Sequence, residues 1–137
     1  MKRIELQECI FHDSIINDIA YDEKKLKLNL DNFFYDNSYY KMKAEFQLDD
    51  FDFNIYFIKQ YPLFHKVKIT GNECSLNEAK LLFRKGYKLQ IVEFLVSTDS
   101  NLVILECVLF PYSKKRGVYK KIILKIAYQC KYLTIYE

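Results

Sequence analysis

YYKMKAEFQL, residues 39–48, alternates throughout: Tyr40, Met42, Ala44, Phe46 and Leu48 fall on one side, and Tyr39, Lys41, Lys43, Glu45 and Gln47 on the other. A period of two with one apolar and one charged side is the pattern of a β-strand that lays one face on a core. After Asp49-Asp50 the alternation restarts, with Phe51, Phe53, Ile55 and Phe57 set against Asp52 and Asn54. Two such runs around a short acidic turn predict a hairpin. A similar arrangement lies upstream: residues 15–21, a turn at Asp22 to Lys25, then Leu26, Leu28 and Leu30 alternating with Lys27 and Asn29.

One helix is well marked. Ser75 to Glu78 spells a capping box, in which each side chain satisfies a free backbone amide of the first turn. Leu76, Ala79, Leu82 and Phe83 then share a stripe. Arg84 and Lys85 suit the negative C-terminal end, and Gly86 suits the left-handed residue that follows a helix. Beyond it come Tyr87 to Ser97, a turn around Asp99-Ser100, Leu102 to Tyr112, a turn at Ser113 to Gly117, a strand from Val118 to Tyr128 and a short one at Tyr132 to Tyr136. Residues 87–97 and 102–110 are apolar on both sides, which predicts central strands covered on each face. We therefore expect an α+β fold: a mainly antiparallel sheet of six to eight strands with one principal helix at about 75–85, in a single domain over residues 1–137. No strand–helix alternation, repeat or linker is visible.

Composition narrows the class. The chain has 137 residues, a formal charge of +3, 50% hydrophobic residues, 17% aromatic residues, and only three glycines and two prolines. Such a chain buries enough apolar surface to rule out disorder, and it is unlike collagen or a linker. Glu5, Gln7 and Glu8 interrupt any apolar run behind Lys2-Arg3, so no secretory signal is expected. No stretch reaches the ~18 apolar residues of a membrane span; the strongest, Ile91 to Val96 and Leu102 to Phe110, each contain a glutamate. Cys9, Cys74, Cys107 and Cys130 form no C-x-x-C pair, and two histidines cannot complete a zinc-finger pattern. We expect reduced, buried thiols, a cytoplasmic location, and no metal or cofactor. The abundance of Lys, Ile, Tyr and Asn points to an AT-rich bacterial genome.

Four groups of residues bear on function. If the 87–112 hairpin turns symmetrically about Asp99-Ser100, Glu93 opposes Glu106, Ile91 opposes Val108 and Leu95 opposes Ile104. Like charges directly opposite repel. In an apolar setting two such carboxylates would share a proton, which suits acid–base work or cation binding; at the solvent boundary, or beside Lys121 or Lys125, they would be structural. His12 and Asp13 are weaker catalytic candidates, since no G-x-S-x-G, H-E-x-x-H or Gly-rich phosphate loop accompanies them. Asp13 and Ser14 more simply satisfy amides at a turn into a strand.

The charge is uneven. Residues 1–60 carry eight Lys+Arg against twelve Asp+Glu, a balance of −4, whereas residues 61–137 carry thirteen against six, a balance of +7. The excess gathers toward the chain's last hairpin, where Lys114, Lys115 and Arg116 stand near Tyr112 and Tyr119. Such a tip can contact phosphates and stack bases, or meet an acidic protein patch. It can equally be a solvated turn that protects an edge. Finally, Phe33, Phe34, Tyr35, Tyr39 and Tyr40 flank a turn at Asp36-Asn37-Ser38, where aromatics either close a core or form a rigid recognition patch.

Phe11, His12, Asp13, Ser14, Ile19, Tyr21, Asp22, Leu26, Leu28 and Leu30 sit within FHDSIINDIAYDEKKLKLNL, residues 11–30. This opening resembles that of several families of small bacterial proteins, some of them similar to immunity proteins of bacterial toxin systems. Their pattern is a hydrophobic residue before H-D-S, a short strand, an aspartate-bearing turn, then L-x-L-x-L. The resemblance implies a non-enzymatic, partner-binding protein and supplies no binding residues. The expectation is an immunity-like binding module with a protein or small ligand as partner and no membrane role. The alternatives are a nucleic-acid-binding accessory protein using the 112–121 tip, and an enzyme using Glu93 and Glu106.

Overall fold

The computed structural model describes residues 2–5, 9–48, 54–63, 66–97, 99, 102–110, 121–129 and 132–136. In chain order the elements are β1 (Lys2–Glu5), β2 (Ile15–Asp22), β3 (Lys25–Tyr35), β4 (Ser38–Gln47), β5 (Asn54–Leu63), β6 (Lys66–Cys74), α1 (Leu76–Arg84), β7 (Lys88–Ser97), β8 (Leu102–Phe110), β9 (Lys121–Gln129) and β10 (Tyr132–Tyr136). The strands join in one antiparallel sheet of order β1-β10-β4-β3-β2-β7-β8-β9-β5-β6. The α+β expectation stands. The described strands number ten rather than six to eight; the additions are β1, too short to show a period, and β6, whose start follows directly on Leu63 and His65.

Local sequence explains most elements. β2 and β3 meet through Glu23 and Lys24, at φ 48° and 61°, and β3 and β4 through Asp36 and Asn37, at φ 48° and 60°. Two central residues with positive φ make the turn whose twist matches that of the flanking strands. In α1, Ser75 Oγ accepts from the Glu78 amide at 3.2 Å. The Ser75 amide donates in return to Glu78 Oε1 at 3.5 Å. At the far end Gly86, at φ 88°, donates to Phe83 O and Tyr87 to Leu82 O, both at 3.0 Å, which closes the helix as a Schellman motif. Ala79 is buried and Leu76, Leu82 and Phe83 pack on the core, as the stripe predicts.

The sheet falls into two five-stranded halves. β1, β10, β4, β3 and β2 form one; β7, β8, β9, β5 and β6 form the other. Only Ile15↔Gln90 and Ile16↔Leu89 pair across the β2–β7 seam. Phe11 reinforces it. Its ring is fully buried and lies 5.8 Å from Phe33 and 6.2 Å from Phe46 in the first half, and 5.7 Å from Phe94 in the second. Three strand spacings of ~4.8 Å separate β4 from β7 along a flat sheet. One ring touching both therefore requires the sheet to curve, with Phe11 inside the curve. Around it lie Ile16, Ile19, Leu26, Leu28, Leu30, Ala44, Leu89, Ile91, Val103, Leu105 and Cys107, all at most 1% exposed.

Three bulges interrupt the ladders: between Ile16 and Asp18 in β2, between Leu30 and Phe33 in β3, and between Ile91 and Glu93 in β7. Each inserts residues that let flanking apolar side chains both point inward.

Two expectations are corrected. Residues 39–48 and 51–57 do not form a hairpin. β4 pairs with β3 and β10, while β5 pairs with β6 and β9. The tight Asp36-Asn37 turn gives β4 its neighbour on one side, and β10 takes the other. Second, β7 is central but not covered on both faces, for Leu95 is 60% exposed and Glu93 is exposed. The helix lies against β2, leaving the outer side of β7 open.

Candidate functional site

The segment before β2 behaves as a strand interrupted by a turn. Cys9 and Phe11 point inward and Ile10 outward, 45% exposed. Ile10 forms an antiparallel bridge with Phe34. The chain then turns through His12 and Asp13, with the Ser14 amide donating to Phe11 O at 3.0 Å and Asp13 at φ 66°. Positive φ at the second central position is tolerated by Asp better than by most residues.

Both neighbours fix this turn. The Asp13 amide donates to Ile91 O at 2.9 Å, and the Ile91 amide to Ser14 O at 2.8 Å. From β3, Asn32 Nδ2 donates to Asp13 O at 3.3 Å. The backbone that presents His12 and Asp13 is thus held from the two halves of the sheet. Their side chains pair with each other, Nδ1 to Oδ2 at 3.0 Å, and both are more than half exposed. Ser14 corrects an expectation. It does not cap an amide with its side chain; the residue is fully buried and Oγ has no hydrogen-bond partner. Backbone bonds and the Asn32 side chain shape the turn.

The aromatics around Asp36-Asn37 divide by alternation. Phe33 is fully buried, and Tyr35 and Tyr40 pack on the core. Phe34 and Tyr39 are cross-strand partners on the other side, with ring centroids 5.1 Å apart. Tyr39 is 65% exposed. Phe34 therefore links Ile10 and Tyr39 into one row across the sheet surface. Ile10 continues along the chain to the exposed His12–Asp13 pair. The result is an apolar row with a polar, ionisable end, set on strands and a doubly anchored turn.

The other candidates sit differently. Glu93 and Glu106 are cross-strand partners, and Leu95 opposes Ile104, as the symmetric turn predicts. Ile91 opposes Cys107 rather than Val108, because the β7 bulge takes up one residue. Glu93 is exposed and Glu106 half-buried, and Glu106 also stands in register with Lys125. This is the solvent-boundary arrangement rather than the apolar one that proton sharing requires. Tyr112, Lys114, Lys115, Arg116 and Tyr119 lie outside the described residues, as does His65.

Among the described residues no group of three or more His, Cys, Asp or Glu is placed to hold a metal ion. Cys9 and Cys107 are buried thiols outside any disulfide. Burial, with the Glu106 carboxylate beside it, pushes the Cys107 thiol well above its ordinary pKa. No helix among the described residues is long and apolar enough to cross a membrane.

Comparison with known proteins adds no identity: no family model, no curated protein and no solved structure matches the chain.

Proposed function

We propose that this protein is a non-catalytic binding module, immunity-like in kind, that grips another protein through the Ile10–Phe34–Tyr39 row and the His12–Asp13 pair beside it. The exposed Tyr39 ring, paired with the half-buried Phe34 on the outer side of the sheet, carries this reading. Rigid aromatic side chains give large contact area at small entropic cost, and such residues dominate binding energy at interfaces. The anchored turn adds support, since a surface already held in place loses little freedom on binding. A cytoplasmic setting belongs to the same reading, which the buried Cys107 thiol, in no disulfide, supports.

The test is affinity capture from a bacterial extract with the wild-type chain, identification of the partner, and titration of that partner against Tyr39→Ala and Phe34→Ala. Both positions are on the outer side of the sheet, and circular dichroism checks that the variants fold. We expect each variant to weaken binding by about tenfold or more, the loss typical of an aromatic anchor. A partner held equally well by both variants would overturn the proposal. A partner that is nucleic acid, with binding lost in Lys114→Ala/Lys115→Ala/Arg116→Ala, would transfer the function to the basic tip.

A further inference from the structure

We propose that the dip between the bulges of β2 and β3 is a binding site for a small zwitterion, an amino acid or dipeptide carrying an ammonium and a carboxylate. The bulges create it. The β2–β3 ladder skips Asn17, and the β3–β4 ladder skips Asp31 and Asn32, with Asn32 at φ 58°. Two irregularities on adjacent strands bend the sheet and re-aim the side chains around them, a use of bulges common beside ligand sites. A depression of about 250 Å³ opens there, lined by Asn17, Asn29, Asp31, Lys41, Lys43 and Tyr136. The register accounts for the grouping, because Asn29 faces Lys43 and Lys43 faces Tyr136.

The polar groups in this depression do not satisfy one another. Asn17 Oδ1 is buried and has no hydrogen-bond partner. A buried acceptor left unmatched is rare in folded chains and calls for a donor from outside. The side chains of Asn29, Asp31, Lys41 and Lys43 form no hydrogen bond or ion pair among the described residues. Farther along the same outer side, by contrast, Lys25 reaches Glu45 at 3.4 Å.

The chemistry of the lining is divided. β2 and β3 supply acceptors, the Asn17 carbonyl oxygen and the Asp31 carboxylate. β4 supplies cations, Lys41 and Lys43. Asp31 stands one strand spacing, ~5 Å, from the lysine strand and Asn17 two, ~10 Å, spans that the two charged ends of an amino acid or dipeptide, each with its hydrogen bond, can bridge. An ammonium would lie against Asn17 and Asp31, and a carboxylate against the lysines. A simple anion would use only the second side and leave Asn17 Oδ1 unmatched.

The test is a titration of the ¹⁵N-labelled full chain, followed by amide shifts, with L-alanine, L-glutamate, glycylglycine and, as an anion without an ammonium, inorganic phosphate. We expect at least one zwitterion to shift the amides of Asn17, Asn29, Asp31 and Lys43 saturably, and phosphate not to. Asn17→Ala and Lys43→Gln should each weaken that binding about tenfold, the usual cost of losing a hydrogen bond to a charged group. Lys43 is exposed, so its variant keeps the test valid if Asn17→Ala fails to fold. No saturable shift with any zwitterion, equal shifts with phosphate, or full affinity in Lys43→Gln would each overturn the proposal.

Discussion

On the outer side of β3 and β4 stand Lys27, Asn29, Lys41, Lys43 and Glu45; on the outer side of β7 and β8 stand Glu93, Leu95, Ile104 and Glu106. Both pairs of strands turn their other side to the core, with Tyr35, Tyr40, Phe94 and Val96 partly buried at its margin. In the first half a slip of one residue would drive lysines into the core, so side-chain chemistry enforces the register. In the second half a slip would turn Glu93 or Glu106 inward, but the outward Leu95 and Ile104 beside them could face inward at little cost, so chemistry specifies the register less strictly. There the register leans more on geometry, on the turn near Asp99 and the bulge that follows Ile91. Patterned charge and placed irregularity are two ways to specify one pairing; the first half combines its lysines with the bulges of β2 and β3, and the second relies more on the single bulge of β7.

The largest test strikes the junction between them. Phe11 is the buried ring that touches both halves, and Phe11→Ala should cost about 3–5 kcal/mol, read as a lower midpoint in urea. A second, separate unfolding transition in that variant would show that the halves fold as independent units and that Phe11 couples them.

The next test belongs to the second half alone. Cys107 stays protonated in the folded chain because burial, helped by the Glu106 charge, raises its pKa. An unfolded cysteine ionises near pH ~8.5. The stability this thiol contributes is therefore full below that value and declines as pH rises above it, by about 2 kcal/mol at pH 10. Cys107→Ala loses packing at every pH, but its stability should fall less steeply between pH 8 and 10 than that of the wild type. Parallel slopes for the two proteins would contradict the assignment.

The smallest effect, and the only gain, is expected in the first half. Glu23 and Lys24 occupy the left-handed region, which suits neither. Replacing them with Asn and Gly should stabilise the chain by about 1 kcal/mol, seen as a higher Tm. No gain would mean that the β2–β3 register, rather than its turn, sets the stability of that hairpin.

Much of this was legible. Apolar and polar residues that alternate through 39–48 show which side faces in, and the capping box and Gly86 mark both ends of the helix. The opposition of Glu93 and Glu106 followed from the turn. What alternation does not encode is which strand lies next door. Asp49-Asp50 looks like the turn of a hairpin, yet β4 is paired on both sides without β5. The bulges left a trace that period two alone passes over. Ile16/Ile19, Leu30/Phe33 and Ile91/Phe94 are inward-facing residues three apart instead of two, one pair at each bulge.

The candidate surface was half visible. His12, Asp13, Phe34 and Tyr39 stood out by residue type, though their grouping depends on strand register. Ile10 did not stand out, because an isoleucine between Cys9 and Phe11 looks like more core. The short in–out–in pattern of those three residues was the signal available.

β1 finds its neighbour late. Lys2 is matched to Ile135 and Glu5 to Tyr132, so during synthesis the β1 backbone must wait until residues 132–135 have left the ribosome. β10 in turn completes β4, which until then has an open flank. Nascent chains should therefore pass through a stage in which β2, β3 and β4 have assembled while β4 still offers a row of vacant amides and carbonyls. Closing that flank over so long a sequence separation favours slow folding, and it makes this the stage at which a growing chain would most need a chaperone.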